Sequence, residues 1–463
     1  METIEQELQR GWAIQQQRKF VDAEQIYRNV IAKAPGNFNA WCFLGIALHD
    51  QRKYSQAHEA YQTALRIQPR FPVALNNMGN TLRYLQRAEE ADACFQKAID
   101  LKPDYLNAYK NRGTLHVWNG ELERGLRCYE QALQLNPTEA ELHRNLGVIY
   151  LLQGRFEEGW REYRWRWRVG DLQRPKLSAP VWDGSDLRGK SILLTAEQGL
   201  GDTLHFVRFA KILRERGANT TVYCQPQLMA LLRNASSLGP MFPNSLPYDR
   251  PLDTHCTLLD VADILQIDLH SIPNQIPYVL PAEHLVQYWA ERFPKSSSVF
   301  RVGIAWQGNP DHQADMFRSV PLKHFENLAS VPQVELISLQ SGYGTEQLGD
   351  WRGPRPVTIL DQNIDKTSGA FMDTSAIMQH LDLVITSDTS IAHLAGSLGV
   401  PTWVALSLMP DWRWLLDRSD SPWYPTVRLF RQHKQGDWSG VFSQILEYLV
   451  RAITTRFQCK SVD

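Results

Sequence analysis

The chain has 463 residues, more than one hydrophobic core usually serves, so two or three domains are expected. Its 43% hydrophobic and 21% charged residues are an ordinary globular balance, which excludes global disorder. A formal net charge of −1 gives no long-range attraction for nucleic acid or an acidic membrane, so neither is an expected partner. Six scattered cysteines contain no C-x-x-C pair and no zinc spacing, which suits a reduced compartment. The opening M-E-T-I-E-Q-E-L-Q-R is acidic and helical in pattern, unlike a secretory signal. The most apolar stretch, Thr389 to Met409, carries His393, Gly396, Gly399 and Pro401, and reads as a buried helix followed by a strand. The expectation is a cytoplasmic protein that is not integral to a membrane.

From Ile4 to about Gly170 one period organises the chain. Glycines fall at Gly11, Gly45, Gly79, Gly113 and Gly147, each 34 residues after the last. The same step joins Ala23, Ala57, Ala91, Gly125 and Gly159, then Tyr27, Tyr61, Phe95, Tyr129 and Tyr163, then Pro35, Pro69, Pro103 and Pro137. This is the period of the tetratricopeptide repeat (TPR), in phase over five units. Small residues suit the crossing of two antiparallel helices, where a larger side chain would hold the backbones apart. The proline near each unit's end cannot continue a helix and forces the turn into the next unit. One unit cannot bury its own apolar face, whereas a stack buries a continuous core. The fifth unit departs from the pattern. Asp171 replaces the closing proline, and the end reads W-R-E-Y-R-W-R-W-R, whose Trp160, Trp165 and Trp167 require cover, expected from the domain that follows.

Asn77, Asn111 and Asn145 also lie 34 apart, on the first helix of units 3 to 5. A side-chain amide both donates and accepts, so such a ladder can pair with the backbone of an extended peptide. The rival reading is bonding between neighbouring repeats. The ladder resembles that of the TPR-containing O-GlcNAc transferases, which implies a polypeptide groove.

After Arg174 the composition changes, and P-K-L-S-A-P-V-W-D-G-S-D-L-R-G-K has the Pro, Gly and Ser content of a linker. S-I-L-L-T-A is a short apolar run suited to a buried parallel strand. It meets E-Q-G-L-G-D and one helical segment ending at Gly217, and T-T-V-Y-C follows as the next strand. Strand, glycine turn, helix and strand make a βαβ unit. A second such region begins at R-V-G-I-A-W-Q-G-N, with V-E-L-I-S-L-Q, L-D-L-V-I-T-S-D and P-T-W-V-A-L-S as further strands. P-K-S-S-S, Pro294 to Ser298, reads as a hinge between the two. The expected fold class is therefore α plus α/β, with a TPR α-solenoid over 1–170, a linker over 171–189, Rossmann-like halves over 190–294 and 295–440, and a C-terminal helix over 441–463. Two facing Rossmann-like halves with a terminal helix suggest the GT-B glycosyltransferase architecture, although pattern alone leaves other two-domain α/β enzymes open.

D-T-S-I-A-H-L-A-G-S-L-G-V-P-T-W-V-A-L, Asp388 to Leu406, resembles the donor-binding segment of heptosyltransferase-type glycosyltransferases. E-Q-G-L-G-D-T-L-H-F-V-R resembles the same family's N-terminal glycine loop. Joined to the repeats, the chain resembles bacterial TPR proteins with a heptosyltransferase-like (GT-B) C-terminal domain. The resemblance implies a nucleotide-diphosphate sugar donor, ADP-heptose in that family, held by the second half. It implies inversion without metal or cofactor, and an acceptor on the first half, a polypeptide presented by the repeats. The competing reading is a TPR adaptor whose α/β half is an inactive scaffold.

Individual residues take roles on this basis. By resemblance Asp202 is the general base that removes the acceptor's hydroxyl proton, and capping of the following helix is its rival role. Gly199 and Gly201 are expected to keep this acceptor loop open for a ligand. His205, about one turn on, is a helper or rival base. Asp388, Thr389 and Ser390 sit where a strand's end meets a helix N-terminus, whose exposed N–H groups and dipole suit a diphosphate. His393 lies one turn in and is placed on the phosphate, with a core histidine as the bland alternative. Arg318 is the choice for the cation that neutralises the leaving diphosphate, against a plain salt bridge with Asp315. Gln307 and Asn309, at a strand end, are placed on the donor. Asp373 is read as a helix cap, with ribose binding as the lesser role. The aromatic segments D-W-R-W and S-P-W-Y-P are assigned to packing of an interdomain seam.

Overall fold

The computed structural model describes residues 2–170, 172–245, 251–294, 296–361 and 363–458. Asp171, the hinge residue Lys295 and the last five residues of the expected terminal helix, 459–463, lie outside them. The chain divides into two compact units, Met1–Leu146 and Gly147–Asp463.

The first unit is a run of helix pairs: α1 (Ile4–Gln16) with α2 (Phe20–Lys33), α3 (Phe38–Asp50) with α4 (Tyr54–Ile67), α5 (Pro72–Tyr84) with α6 (Ala88–Leu101), and α7 (Leu106–Trp118) with α8 (Leu122–Leu135). Each second helix ends two residues before a repeat proline. The glycine column has a specific steric cause. A Cβ at Gly11, Gly45, Gly79 or Gly113 would lie 2.5–2.7 Å from the ring of Tyr27, Tyr61, Phe95 or Tyr129, sixteen residues on in the same pair. Those four rings are fully or nearly fully buried, so each glycine is the socket for one aromatic. A further periodic feature escaped the sequence reading. The turn between the two helices of every pair carries a left-handed residue, at Arg18 (φ 61°), Arg52 (62°), Gln86 (59°), Gly120 (81°) and Gly154 (76°). Only the last two are glycine, the residue that adopts this conformation without a Cβ penalty.

The second unit opens with the end of α9 (Ala140–Leu152) and α10 (Phe156–Tyr163), followed by a 3-10 turn, Arg164–Arg168. Division after Leu146 rather than at 170 has a packing reason. Leu151, Leu152, Phe156, Trp160 and Tyr163 belong to the same buried core as Ile192, Leu194 and Leu204 of the α/β part. The arginines of W-R-E-Y-R-W-R-W-R anchor the segment: Arg164 forks onto Asp263 (2.7 and 2.8 Å), and Arg166 forks onto Glu197 (3.0 and 3.1 Å) and reaches Asp260 (2.5 Å). Trp160 is buried and donates to Ile267 O at 3.0 Å, whereas Trp165 and Trp167 stay half-buried.

Two wholly parallel sheets follow. In the first, β1 (Ser191–Thr195), β2 (Asn219–Cys224), β3 (Met241–Pro243) and β4 (Thr254–Thr257) lie in the order β3-β2-β1-β4. In the second, β5 (Phe300–Ala305), β6 (Val334–Ser338), β7 (Leu383–Ser387), β8 (Thr402–Leu406) and β9 (Val427–Arg431) lie in the order β6-β5-β7-β8-β9. Each sheet reverses its winding once, beside β1 in the first and beside β5 in the second. Ligands of open parallel sheets enter at such points, at the strands' carboxyl ends. The expected linker is not loose along its length: Trp182 is buried and its backbone N–H donates to His255 O at 2.8 Å, beside β4. The helix expected to end at Gly217 is two, Leu200–Phe206 and Arg208–Glu215, broken at Val207. Helix Trp438–Gln458 closes the second sheet through Val441, Phe442, Ile445 and Leu449. Among the described residues no helix is long and apolar enough to cross a membrane.

Candidate functional site

A cavity of about 910 Å³ opens at the carboxyl ends of both sheets. Gly199, Gly201 and Asp202 reach it from the turn after β1, Gln307 and Asn309 from the end of β5, and Arg318 from the short helix Asp315–Arg318. Asp388, Thr389, Ser390 and His393 reach it from the junction of β7 with helix Ser390–Leu398.

The helix after β7 presents its N-terminus bare. Thr389 is its N-cap in extended conformation, and no side chain caps it. Asp388, the residue before it, accepts a long bond from Asp411 N (3.4 Å). Burial, then the nearby Asp411 charge, pushes the Asp388 carboxyl up to about 6. Arg318 pairs only loosely with Asp315, at 3.6 Å, and its buried Nε has no hydrogen-bond partner. Asp315 is occupied by Ser319 Oγ at 2.8 Å. The guanidinium therefore keeps donors for an anion in the cavity it lines. Gln307 is tied back to its loop, its Oε1 accepting from Gln347 (3.0 Å) and its N–H donating to Gln340 Oε1 (3.0 Å). Asn309 Oδ1 accepts from Asp311 N at 2.9 Å.

Asp202 combines its two expected roles. Oδ2 accepts the Gly199 N–H at 2.9 Å, holding the first turn of its own helix, while Oδ1 accepts from Arg413 at 2.5 Å. Burial pushes its carboxyl up, Arg413 pulls the other way, and the charge of Asp411 adds to burial. The glycines beside it differ in purpose. A Cβ at Gly201 would lie 3.1 Å from His393 and 3.4 Å from Ser390 Cα, so that glycine lets two helices approach, whereas Gly199 meets only Asp202 itself.

His205 is corrected. It does not reach the cavity but is 0% exposed, packed at 4.5–4.6 Å between the rings of Trp423 and Phe206. Its Nδ1 meets Tyr424 Oη at 2.8 Å, and the same hydroxyl meets His393 Nδ1 at 3.0 Å. Burial and then Arg208 hold His205 well below the usual histidine range, so it is neutral and unable to reach an acceptor. His393 is likewise pushed down, to about 3, by burial and then Arg413, and its ring stacks on Trp414 at 5.2 Å. Asp373 is spent structurally, accepting from Trp289 Nε1 (2.9 Å) and Asp365 N (3.1 Å). Trp412, Trp414, Trp423 and Tyr424 are all buried in the seam.

Arg413 and Asp411 are among the cavity residues that the sequence reading passed over. The signal was present: an acid and an arginine inside the otherwise aromatic D-W-R-W, directly after a parallel strand.

In the repeats two members of the asparagine column, Asn77 and Asn111, join a chain of amides through Asn76, and the third stands apart from it. Asn111 donates to Asn76 Oδ1 (2.9 Å), Asn76 donates to Asn77 Oδ1 (3.2 Å), and Asn145 accepts from Arg144 (3.1 Å). Bonding between neighbouring repeats is thus realised for Asn111, and all three column residues remain half-buried rather than sealed.

Family models described as tetratricopeptide or TPR repeat match residues 8–70, 72–105 and 118–154. The helical part is a TPR solenoid, a protein-interaction scaffold. Among curated proteins the chain is similar to Protein FlbA of Caulobacter vibrioides, 25% identical over 309 residues, 61% of this chain and 50% of that protein. The chain thus spans about half the length of the curated relative it matches. Similar solved structures include the thermophilic TPR protein TTC0263 of Thermus thermophilus (20% identity, 36% of this chain and 91% of that one, TM-score 0.34). Another is PilF of Pseudomonas aeruginosa (18%, 46% and 86%, TM-score 0.35). Likenesses of this size carry nothing about function.

Proposed function

We propose that the α/β part is a glycosyltransferase of GT-B type that takes a nucleotide-diphosphate sugar and glycosylates a polypeptide held by the TPR repeats. One observation carries the reading: the winding reversals of two parallel sheets open onto one cavity that gathers a carboxylate, an underused guanidinium and an uncapped helix N-terminus. The diphosphate fits the N–H groups of Ser390 and Ile391 and the Arg318 guanidinium, which meet the charge that grows on the leaving oxygen. Asp202 takes the acceptor hydroxyl's proton as that oxygen bonds to the anomeric carbon and the bond from that carbon to the diphosphate oxygen breaks. Displacement from the opposite side inverts the anomeric centre. The cation and the helix terminus supply the charge stabilisation without a metal.

The expected result is that a panel of nucleoside diphosphates contains one that raises the melting temperature of the full chain, and that Asp202→Ala abolishes sugar transfer while retaining that shift. Unchanged turnover in Asp202→Ala removes the base assignment. A second reading, a TPR adaptor with an inactive α/β scaffold, is favoured by the engagement of both Asp202 oxygens; no thermal shift with any nucleotide and intact partner capture would support it.

A further inference from the structure

Arg413 has no part in the reading above, yet it is the best-fixed cation in the cavity. It comes from the 3-10 turn Trp412–Trp414 after β8, and its side chain is 4% exposed. Its guanidinium lies over the rings of Trp412 (4.6 Å) and Phe206 (4.9 Å). One terminal nitrogen donates to Asp411 Oδ1 at 2.8 Å, the same oxygen that accepts the Arg413 backbone N–H at 3.0 Å. The arginine is thus set by its own loop and two aromatic faces, and its other terminal nitrogen meets Asp202 Oδ1 at 2.5 Å. With Gly199 N–H on Oδ2, both Asp202 oxygens are oriented, and each keeps a second lone pair.

We infer that Arg413 is a positioning residue for Asp202: it aims the carboxylate into the cavity from the opposite sheet and keeps it anionic, rather than binding the donor itself. This rests on Asp202 acting as the base. A carboxylate only 26% exposed takes up a proton more readily unless a cation is fixed beside it. The charged and titratable groups facing it are Arg413, Asp411 on the same loop as Arg413, and His312 from the turn after β5. Arg413 favours the anion and Asp411 opposes it, so the two have opposite signs at Asp202.

The test uses the full chain with ¹³C-carboxyl-labelled aspartate, the Asp202 resonance being assigned by its loss in Asp202→Asn. Arg413→Gln is expected to move the Asp202 titration midpoint upward, and Asp411→Asn to move it downward, whereas loosened packing would move both the same way. Arg413→Lys, which keeps the charge if Arg413→Gln fails to fold, is expected to stay nearer the native midpoint. In parallel, Arg413→Gln should leave the affinity for uridine and adenosine diphosphates within about twofold, under 0.5 kcal/mol, and shift the acid limb of the transfer rate to higher pH. An unmoved midpoint, or shifts of equal sign, overturns the inference. Loss of nucleotide binding in Arg413→Gln alone overturns it too, by making Arg413 a donor ligand. If the native chain binds no nucleoside diphosphate of the panel, the transferase reading fails, and the carboxyl titrations still decide the role of Arg413.

Discussion

The repeats and the α/β part solve the same problem, holding helices and strands at fixed distances, by opposite means. In the repeats one steric device, an aromatic ring seated over a glycine, is copied unit after unit. In the α/β part the fixing contacts are single-copy and charged: Arg166 between Glu197 and Asp260, Arg208 on Tyr278 Oη (2.8 Å), and Arg413 between Asp202 and Asp411. A copied device spreads the effect of one lesion over near neighbours, because each repeat contacts only the next. A single-copy charged contact has no substitute.

That difference sets the order of expected effects. Arg166→Met should be the most damaging, since it strands buried Glu197 and leaves Asp260 only the 3.4 Å contact of Arg174, with a loss of about 3–5 kcal/mol in urea unfolding of the α/β part. Equal stability would mean that the two carboxylates find other partners. Gly45→Val comes next, because its Cβ would lie 2.5 Å from the Tyr61 ring; about 1–3 kcal/mol should be lost, confined by hydrogen exchange to α3, α4 and their neighbours. A loss spread through the α/β part would break the comparison.

Acid should weaken both regions through buried neutral histidines. Burial lowers His49 in the repeats to about 4 and His393 in the α/β part to about 3, both from an ordinary 6.5. Between 6.5 and those values the unfolded chain binds the extra protons, so stability falls as pH falls through this window. Asp388, raised to about 6 from an ordinary 3.8, binds a proton earlier in the folded state and so works the other way between those values. His49→Gln should flatten the acid slope for the repeats alone, and His393→Gln that for the α/β part, both read by thermal melts from pH 7 to 4.5. The smallest effect expected is a gain: Gln86→Gly relieves a left-handed residue and should stabilise the stack by up to about 1 kcal/mol in denaturant titrations.

The same contrast governs what the sequence exposed. The columns at Gly11 and Tyr27 are legible because the interlocking pair is written repeatedly at one spacing. The left-handed column at Arg18, Arg52 and Gln86 is not, because those residue types do not advertise the conformation. In the α/β part the apolar strand Ser191–Thr195 and the glycine turn after it stand out. Strand Thr254–Thr257, spelled T-H-C-T, does not, because a buried parallel strand built of threonine and histidine lacks the apolar run that marks the others. Arg413 was hidden among tryptophans, whose usual meaning is packing. His205 was misplaced because a spacing of one turn from Asp202 says nothing about which side of a broken helix faces the cavity.

The Trp160–Arg166 segment has a last consequence, for how such a chain can be recombined. Its α10 is written in repeat language but is spent in the α/β core. A natural or engineered exchange of repeat arrays cut after Gly170 would therefore carry off Trp160, Tyr163 and Arg166, leaving Glu197 without its arginine and Asp260 with only Arg174 at 3.4 Å. A splice just before α9, which starts at Ala140, transfers the first four helix pairs and leaves the α/β part its own lid of helix. Arrays of other lengths, and so other cargoes, can be traded at that joint.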